Sequence, residues 1–182
     1  MKVRHSDSLI LMWRLAELEA RQLKASTIEP THLLLGLCKS VDLDLPALVP
    51  RDSPDRDEVL EELLREVRRL RTIFRAVGLD ARAFRRALRR KSAGNRVAQS
   101  ESQRLRRSKA AKEVFADAEH FAEMANTVVF PVQLLFAVIS IEDEVRDDLL
   151  DQQSVEPSRL KKVAKREIMP PWHGERPSSG PN

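Results

Sequence analysis

At 182 residues, 42% of them hydrophobic, the chain is long enough to bury a core without disulfide or metal staples. Its 32 Lys and Arg against 28 Asp and Glu leave a net charge of +4, and a single cysteine, Cys38, excludes a disulfide framework and points to a reducing compartment. The apolar patch near the start is interrupted by Arg14 and Glu17 too soon for a signal peptide or a membrane span, so a cytoplasmic protein with no membrane partner is expected.

In chain order, Leu9, Met12, Trp13, Ala16, Ala20 and Leu23 recur at three- and four-residue spacing and predict a first helix over Ser6 to Lys24. Ser6 is its cap, with Asp7 placed where the helix dipole favours negative charge. Ile28 to Lys39, IEPTHLLLGLCK, predicts a short helix buried on nearly every side. Pro30 fits its first turn, where the missing N–H costs nothing, and Thr31 and His32 follow as that turn's polar residues. Cys38, inside the apolar run, reads as a small buried thiol. Residues 41–57 are rich in proline and aspartate without a lasting period and predict an irregular connection. Val59, Leu63, Val67, Leu70, Ile73 and Phe74 then mark a long helix from Glu58 to Ala76. Gly78 supplies a left-handed stop, Asp80 a new cap, and Phe84 and Leu88 a short closing helix.

From Arg89 to Arg107 the chain is polar and lacks periodic apolar residues, so residues 92–107 are expected to link two halves, 1–91 and 108–168. Ser108 takes the part of Ser6, and Ala111, Val114, Phe115, Ala118, Ala122 and Ala125 repeat the first helix's buried face. An offset of 102 puts Ala118 on Ala16 and Ala122 on Ala20; an offset of 101 puts Pro131 on Pro30 and Leu134-Leu135 on Leu33-Leu34. Val129 to Ser140, VFPVQLLFAVIS, therefore echoes the buried helix, with Val132 and Gln133 at the positions of Thr31 and His32. SVEPSRL at 154–160 answers GLDARAF at 78–84. A repeat of this kind predicts two copies that close one core on each other. Residues 169–182, rich in proline and glycine, predict a flexible tail.

The paired pattern is a capped helix with Ala-x-x-x-Ala, an Ile/Val-x-Pro/Thr-x-His-Leu-Leu-Leu-x-Leu helix, and an apolar helix ending in Gly-Val/Leu-Asp with a short closing helix. It resembles the double Clp repeat found at the amino terminus of Clp and heat-shock ATPases. THLLLGL at Thr31 to Leu37 carries the likeness most closely, and the second copy is more divergent. The resemblance implies an all-α fold of two pseudo-twofold-related four-helix repeats, about eight helices in total. It also implies a non-catalytic platform that docks adaptors or substrates for a Clp ATPase, or modulates it, without a cofactor or metal. None of the five glycines opens a G-x-x-x-x-G-K-[ST] phosphate loop, which excludes an ATPase of the usual kind. The chain is then either a free-standing repeat protein or one piece of a longer one.

In members of that family that receive phosphoarginine-tagged proteins, each repeat offers a glutamate just before the histidine of the second helix and a capping hydroxyl near the first. Here Ser6 and Ser108 match the hydroxyls, but Thr31 and Val132 stand where the glutamates would be. A guanidinium needs a carboxylate for a charge-assisted bond, so the likeness carries the scaffold to this chain and not that ligand. The partner-binding candidates are Ser6, Thr31, His32, Ser108, Val132 and Gln133, with His32 expected to pack at the helix start and bond a backbone carbonyl. The rival candidate is basic: from Arg82 to Lys112 twelve basic residues face one acid, Glu101. Arg85, Arg86, Arg89, Arg90, Lys91, Arg104, Arg106 and Arg107 make up most of this patch, which would attract an acidic partner or, less favoured, nucleic acid. No aromatic residue lies between Phe84 and Phe115 to stack on bases.

Overall fold

The structure, a computed structural model, describes residues 4–50, 52–93 and 105–168. In chain order the elements are α1 (Asp7–Gln22), β1 (Thr27–Ile28), α2 (Pro30–Ser40), α3 (Leu45–Leu48), α4 (Arg56–Val77), α5 (Ala81–Ser92), β2 (Arg106–Arg107), α6 (Lys109–Met124), α7 (Pro131–Ser140), α8 (Glu144–Asp151) and α9 (Pro157–Ile168). Helices α1, α2, α4 and α5 form the first repeat, and α6, α7, α8 and α9 the second. The ninth helix among the described residues is α3, a single turn inside the connection expected to be irregular. Pro46 sits at its second position, where a missing N–H is tolerated, and Leu45 is buried. Four residues are too few to show a period, so this turn is silent in the sequence.

Helices α2 and α7 pack on each other at the centre, with α1 and α5 around α2 and α6 and α9 around α7. Leu33, Leu35, Leu37, Leu134 and Leu135 are fully buried there. Each such side chain contributes about 2 kcal/mol through removal of apolar surface from water. Helices α1 and α2 approach so closely that a methyl group on Gly36 would lie 2.9 Å from both the Ala16 nitrogen and the Met12 carbonyl oxygen.

The helix ends follow their chemistry. Ser6 Oγ accepts the Leu9 amide at 3.1 Å, and Ser108 Oγ accepts the Ala111 amide at the same distance. Gly78 ends α4 with φ 78°, and the Leu79 amide bonds the Phe74 carbonyl at 2.8 Å. The second repeat makes the same stop without glycine: Ser154 has φ 57°, and the Val155 amide bonds the Leu150 carbonyl at 2.9 Å. Arg71 from α4 donates to the Val41 carbonyl at the end of α2, while Arg146, itself buried, donates to Val138 and Ile141 at the end of α7.

Two short parallel pairings tie the copies together. Thr27–Ile28, leading into α2, pairs with Arg106–Arg107, leading into α6. His5, leading into α1, bridges to Val129, leading into α7. Each repeat thus lends its entry segment to the other, and part of the stretch expected to be a linker is an ordered strand. Ala125, expected on the buried face of α6, is exposed because the helix stops at Met124. Residues 169–182 lie outside the described residues.

Candidate functional site

The six residues singled out at the helix starts fall into two clusters, each drawing on both repeats. The Ser6 amide donates to the Val129 carbonyl, placing Ser6 beside the start of α7, and the Ser108 amide donates to Ile28, placing Ser108 beside the start of α2. Four of the six, Ser6, Ser108, His32 and Gln133, accept a backbone amide through the side chain. Ser6 is buried, capping α1 and bonding Ser8 Oγ at 2.9 Å. His32 Nδ1 accepts the Glu29 amide at 2.9 Å, and Gln133 Oε1 accepts the Phe130 amide at 3.0 Å, so the two repeats solve one capping task with different side chains. The partner of His32 is therefore an amide and not the expected carbonyl. Accepting through Nδ1 puts the ring proton on Nε2, and burial holds the His32 pKa below its ordinary value, against an opposing pull from Glu29. Val132 is fully buried, and Thr31 is half-buried.

The basic stretch divides. Arg85, Arg86, Arg89, Arg90 and Lys91 belong to α5, which runs on to Ser92. Arg89 Nε lies 2.9 Å from Glu19, a carboxylate with 0% exposure on α1, which also meets Lys39 at 3.4 Å. Arg89 is thus part of a buried ion cluster, and Arg85 is half-buried, whereas Arg86, Arg90 and Lys91 are exposed. Arg104 lies outside the described residues. Arg106 and Arg107 stand apart from α5, on β2.

That second group borders a groove of about 430 Å³, a size typical of ligand clefts. Its wall is built by Leu9, Ile10, Trp13 and Glu17 of α1, Lys112 and Phe115 of α6, His5, and the segment 105–107. The Trp13 and Phe115 rings meet edge-to-face at 5.6 Å, and the Arg107 guanidinium lies 5.6 Å from the Trp13 centroid and 5.0 Å from that of Phe115. His5 Nε2 is 3.0 Å from Glu119, joining the first repeat to α6.

The offset of 102 that relates α1 to α6 superposes Trp13 on Phe115, Ile10 on Lys112 and His5 on Arg107. The groove therefore straddles the pseudo-twofold seam and is lined by matching positions of both copies. Its chemistry is lopsided: Leu9 and Ile10 against Ala111 and Lys112.

Reactive groups are spent elsewhere. The Cys38 thiol is fully buried and pushed up to about 12, chiefly by loss of solvation. Among the described residues, no group of three His, Cys, Asp or Glu side chains could hold a metal ion. Nor is any helix among them long and apolar enough to cross a membrane.

Solved structures with this arrangement share little sequence with the chain. The Hsp104 N-terminal domain from Candida albicans is 17% identical with a TM-score of 0.62, over 88% of this chain and 89% of its own. A structure from a malarial protein secretion system is 16% identical with a TM-score of 0.63, over 91% and 95%. The N-terminal domain of the caseinolytic-protease-associated chaperone ClpD from Arabidopsis thaliana is 17% identical with a TM-score of 0.59, over 91% and 97%. This chain has the Clp amino-terminal domain fold. No family model and no curated protein matches its sequence, so the likeness is one of architecture.

Within this Clp-type fold, the groove is the feature the sequence reading passed over. Trp13 and Phe115 both fell on predicted buried faces. Phe115 is buried, but Trp13 is only half-buried and turns to the seam. The available signal was a large aromatic at the same position of both repeats.

Proposed function

We propose that the chain is a non-catalytic docking domain that receives adaptor or substrate proteins for a Clp-type ATP-dependent unfoldase. The observation that carries this reading is the groove on the seam, an open cleft with an apolar side and a charged side, to which both repeats contribute. The half-buried Trp13 and Ile10, 42% exposed, offer apolar surface that a partner's side chain would cover. The similar structures from Hsp104 and ClpD, both amino-terminal domains, support the same direction. Burial of Cys38 and the engagement of His32 Nδ1 leave neither placed as a nucleophile or general base.

The test uses the purified chain and a purified Clp-type ATPase from the same source. Direct association, or a change in the ATPase's rate of unfolding a model substrate, is the expected result, weakened by Ile10→Asp. If neither association nor a change in rate is seen at low salt, the docking reading fails.

A further inference from the structure

Within the docking reading, on which this inference rests, the groove's charge selects its occupant. Among the described residues the one acid that lines it, Glu17, is engaged with Arg21 at 2.8 Å, and Glu119, which meets the lining His5 at 3.0 Å, is engaged there. Among the described residues, Arg106, Arg107 and Lys112 have no carboxylate within ion-pairing distance. The rim therefore presents, among the described residues, three cations without a carboxylate partner, beside the apolar patch of Leu9 and Ile10. The pseudo-symmetry places these two chemistries on opposite sides of one seam, apolar on α1 and cationic on α6 and β2.

We infer that the groove takes an extended acidic peptide segment, with an apolar or aromatic side chain on Leu9, Ile10 and the edge of Trp13, and flanking carboxylates on Arg106, Arg107 and Lys112. Arginine matches a carboxylate with two parallel N–H donors, and its guanidinium here is already oriented over the Trp13 and Phe115 rings, so less freedom is lost on pairing. The same stacking argues against single-stranded nucleic acid. Bases need open ring faces, and Arg107 lies over both rings.

The probes are short fluorescein-labelled peptides with a central Phe flanked by Glu, and matched versions with Gln or Lys for Glu or Ser for Phe, read by anisotropy. The Glu peptide binds about tenfold more tightly than the Gln peptide at low salt, because a few exposed ion pairs together supply about one such step. The difference shrinks as salt rises. The double variant Arg107→Ala with Lys112→Ala cuts the preference for Glu by most of its tenfold, and Ile10→Asp, at an exposed position, weakens the Phe peptides flanked by Glu or Gln. Lys161→Ala, an exposed cation on α9, changes nothing. Equal binding of Glu and Gln peptides, or preference for Lys, overturns the inference while leaving docking intact. Failure of every peptide to bind overturns both. Tighter binding of a labelled single-stranded oligonucleotide than of the Glu peptide overturns it in favour of nucleic acid.

Discussion

Replacing Gly36 by alanine tests how the first repeat is closed. In an open helix the change would stabilise by about 1 kcal/mol, the ordinary difference in helix propensity. Here the new methyl would sit 2.9 Å from the Ala16 nitrogen and from the Met12 carbonyl oxygen, and 3.3 Å from the Ala16 Cα. Comfortable carbon contacts begin near 3.5 Å. All three atoms are backbone of α1, so no rotamer change relieves the clash and the two helices must separate. Overpacking costs about 1–3 kcal/mol, and with two rigid backbone atoms at 2.9 Å the upper part of that range, about 2–3 kcal/mol, applies, so the net loss is about 1–2 kcal/mol after the propensity gain. For a chain of this length that lowers Tm by about 2–8 °C. Urea unfolding followed by far-UV circular dichroism would show a lower midpoint at unchanged slope. The matched position in α7 is already alanine, the buried Ala137, and Ala137→Gly is also expected to lose about 1 kcal/mol, so opposite substitutions both destabilise. A midpoint that is unchanged or raised in Gly36→Ala would refute the close α1–α2 contact.

The paired stops give a second comparison. Gly78→Ala loses about 1 kcal/mol although nothing lies within 4 Å of the added methyl, whereas Ser154→Gly gains roughly half of that by relieving a left-handed serine, both read as Tm. His32 supplies a pH dependence. Its folded pKa lies below the ordinary 6.5, so the unfolded chain takes up the proton more readily. The neutral ring's contribution is complete above pH 6.5 and is lost as pH falls through the window below it. His32→Gln, which adopts the second repeat's solution, should stay folded and flatten the fall in stability below pH 6.5; a parallel curve in the variant would contradict the assignment. Cys38, pushed up to about 12 and buried, should resist iodoacetamide in the native state and react at the rate of unfolding; rapid native labelling at neutral pH would contradict its burial.

The repeat was legible because it is written in short-range chemistry. Ser6 and Ser108 cap, Pro30 and Pro131 open helices, and the apolar runs at 33–37 and 134–139 have nowhere to go but the centre. The boundary near Ser92 was less legible. Arg89 to Lys91 carry no apolar period that would mark them as helix, while in three dimensions Arg89 answers the buried Glu19 of α1. Glu19 itself carries no local mark of burial: its partners lie 20 and 70 residues away, at Lys39 and Arg89. Leu105, alone among polar residues, gave no sign of reaching the groove. The site stayed hidden for the same reason, since Trp13 and Phe115 look like core positions until the pseudo-twofold axis sets them edge-to-face. His32 and Gln133, named among the binding candidates, finish helix starts, a role that sequence cannot separate from ligand contact when both need a polar side chain at one position.

The central claim is that partners dock on the seam between the repeats. Amide chemical shifts of the isotope-labelled chain, titrated with reduced, carboxymethylated α-lactalbumin as a permanently unfolded acidic probe, test it most directly. The largest shifts are expected at Ile10, Trp13, Arg107, Lys112 and Phe115, and should disappear in Ile10→Asp. Shifts centred instead on the exposed face of α5 at Arg86, Arg90 and Lys91, or on the helix starts at Thr31 and Val132, would contradict the claim.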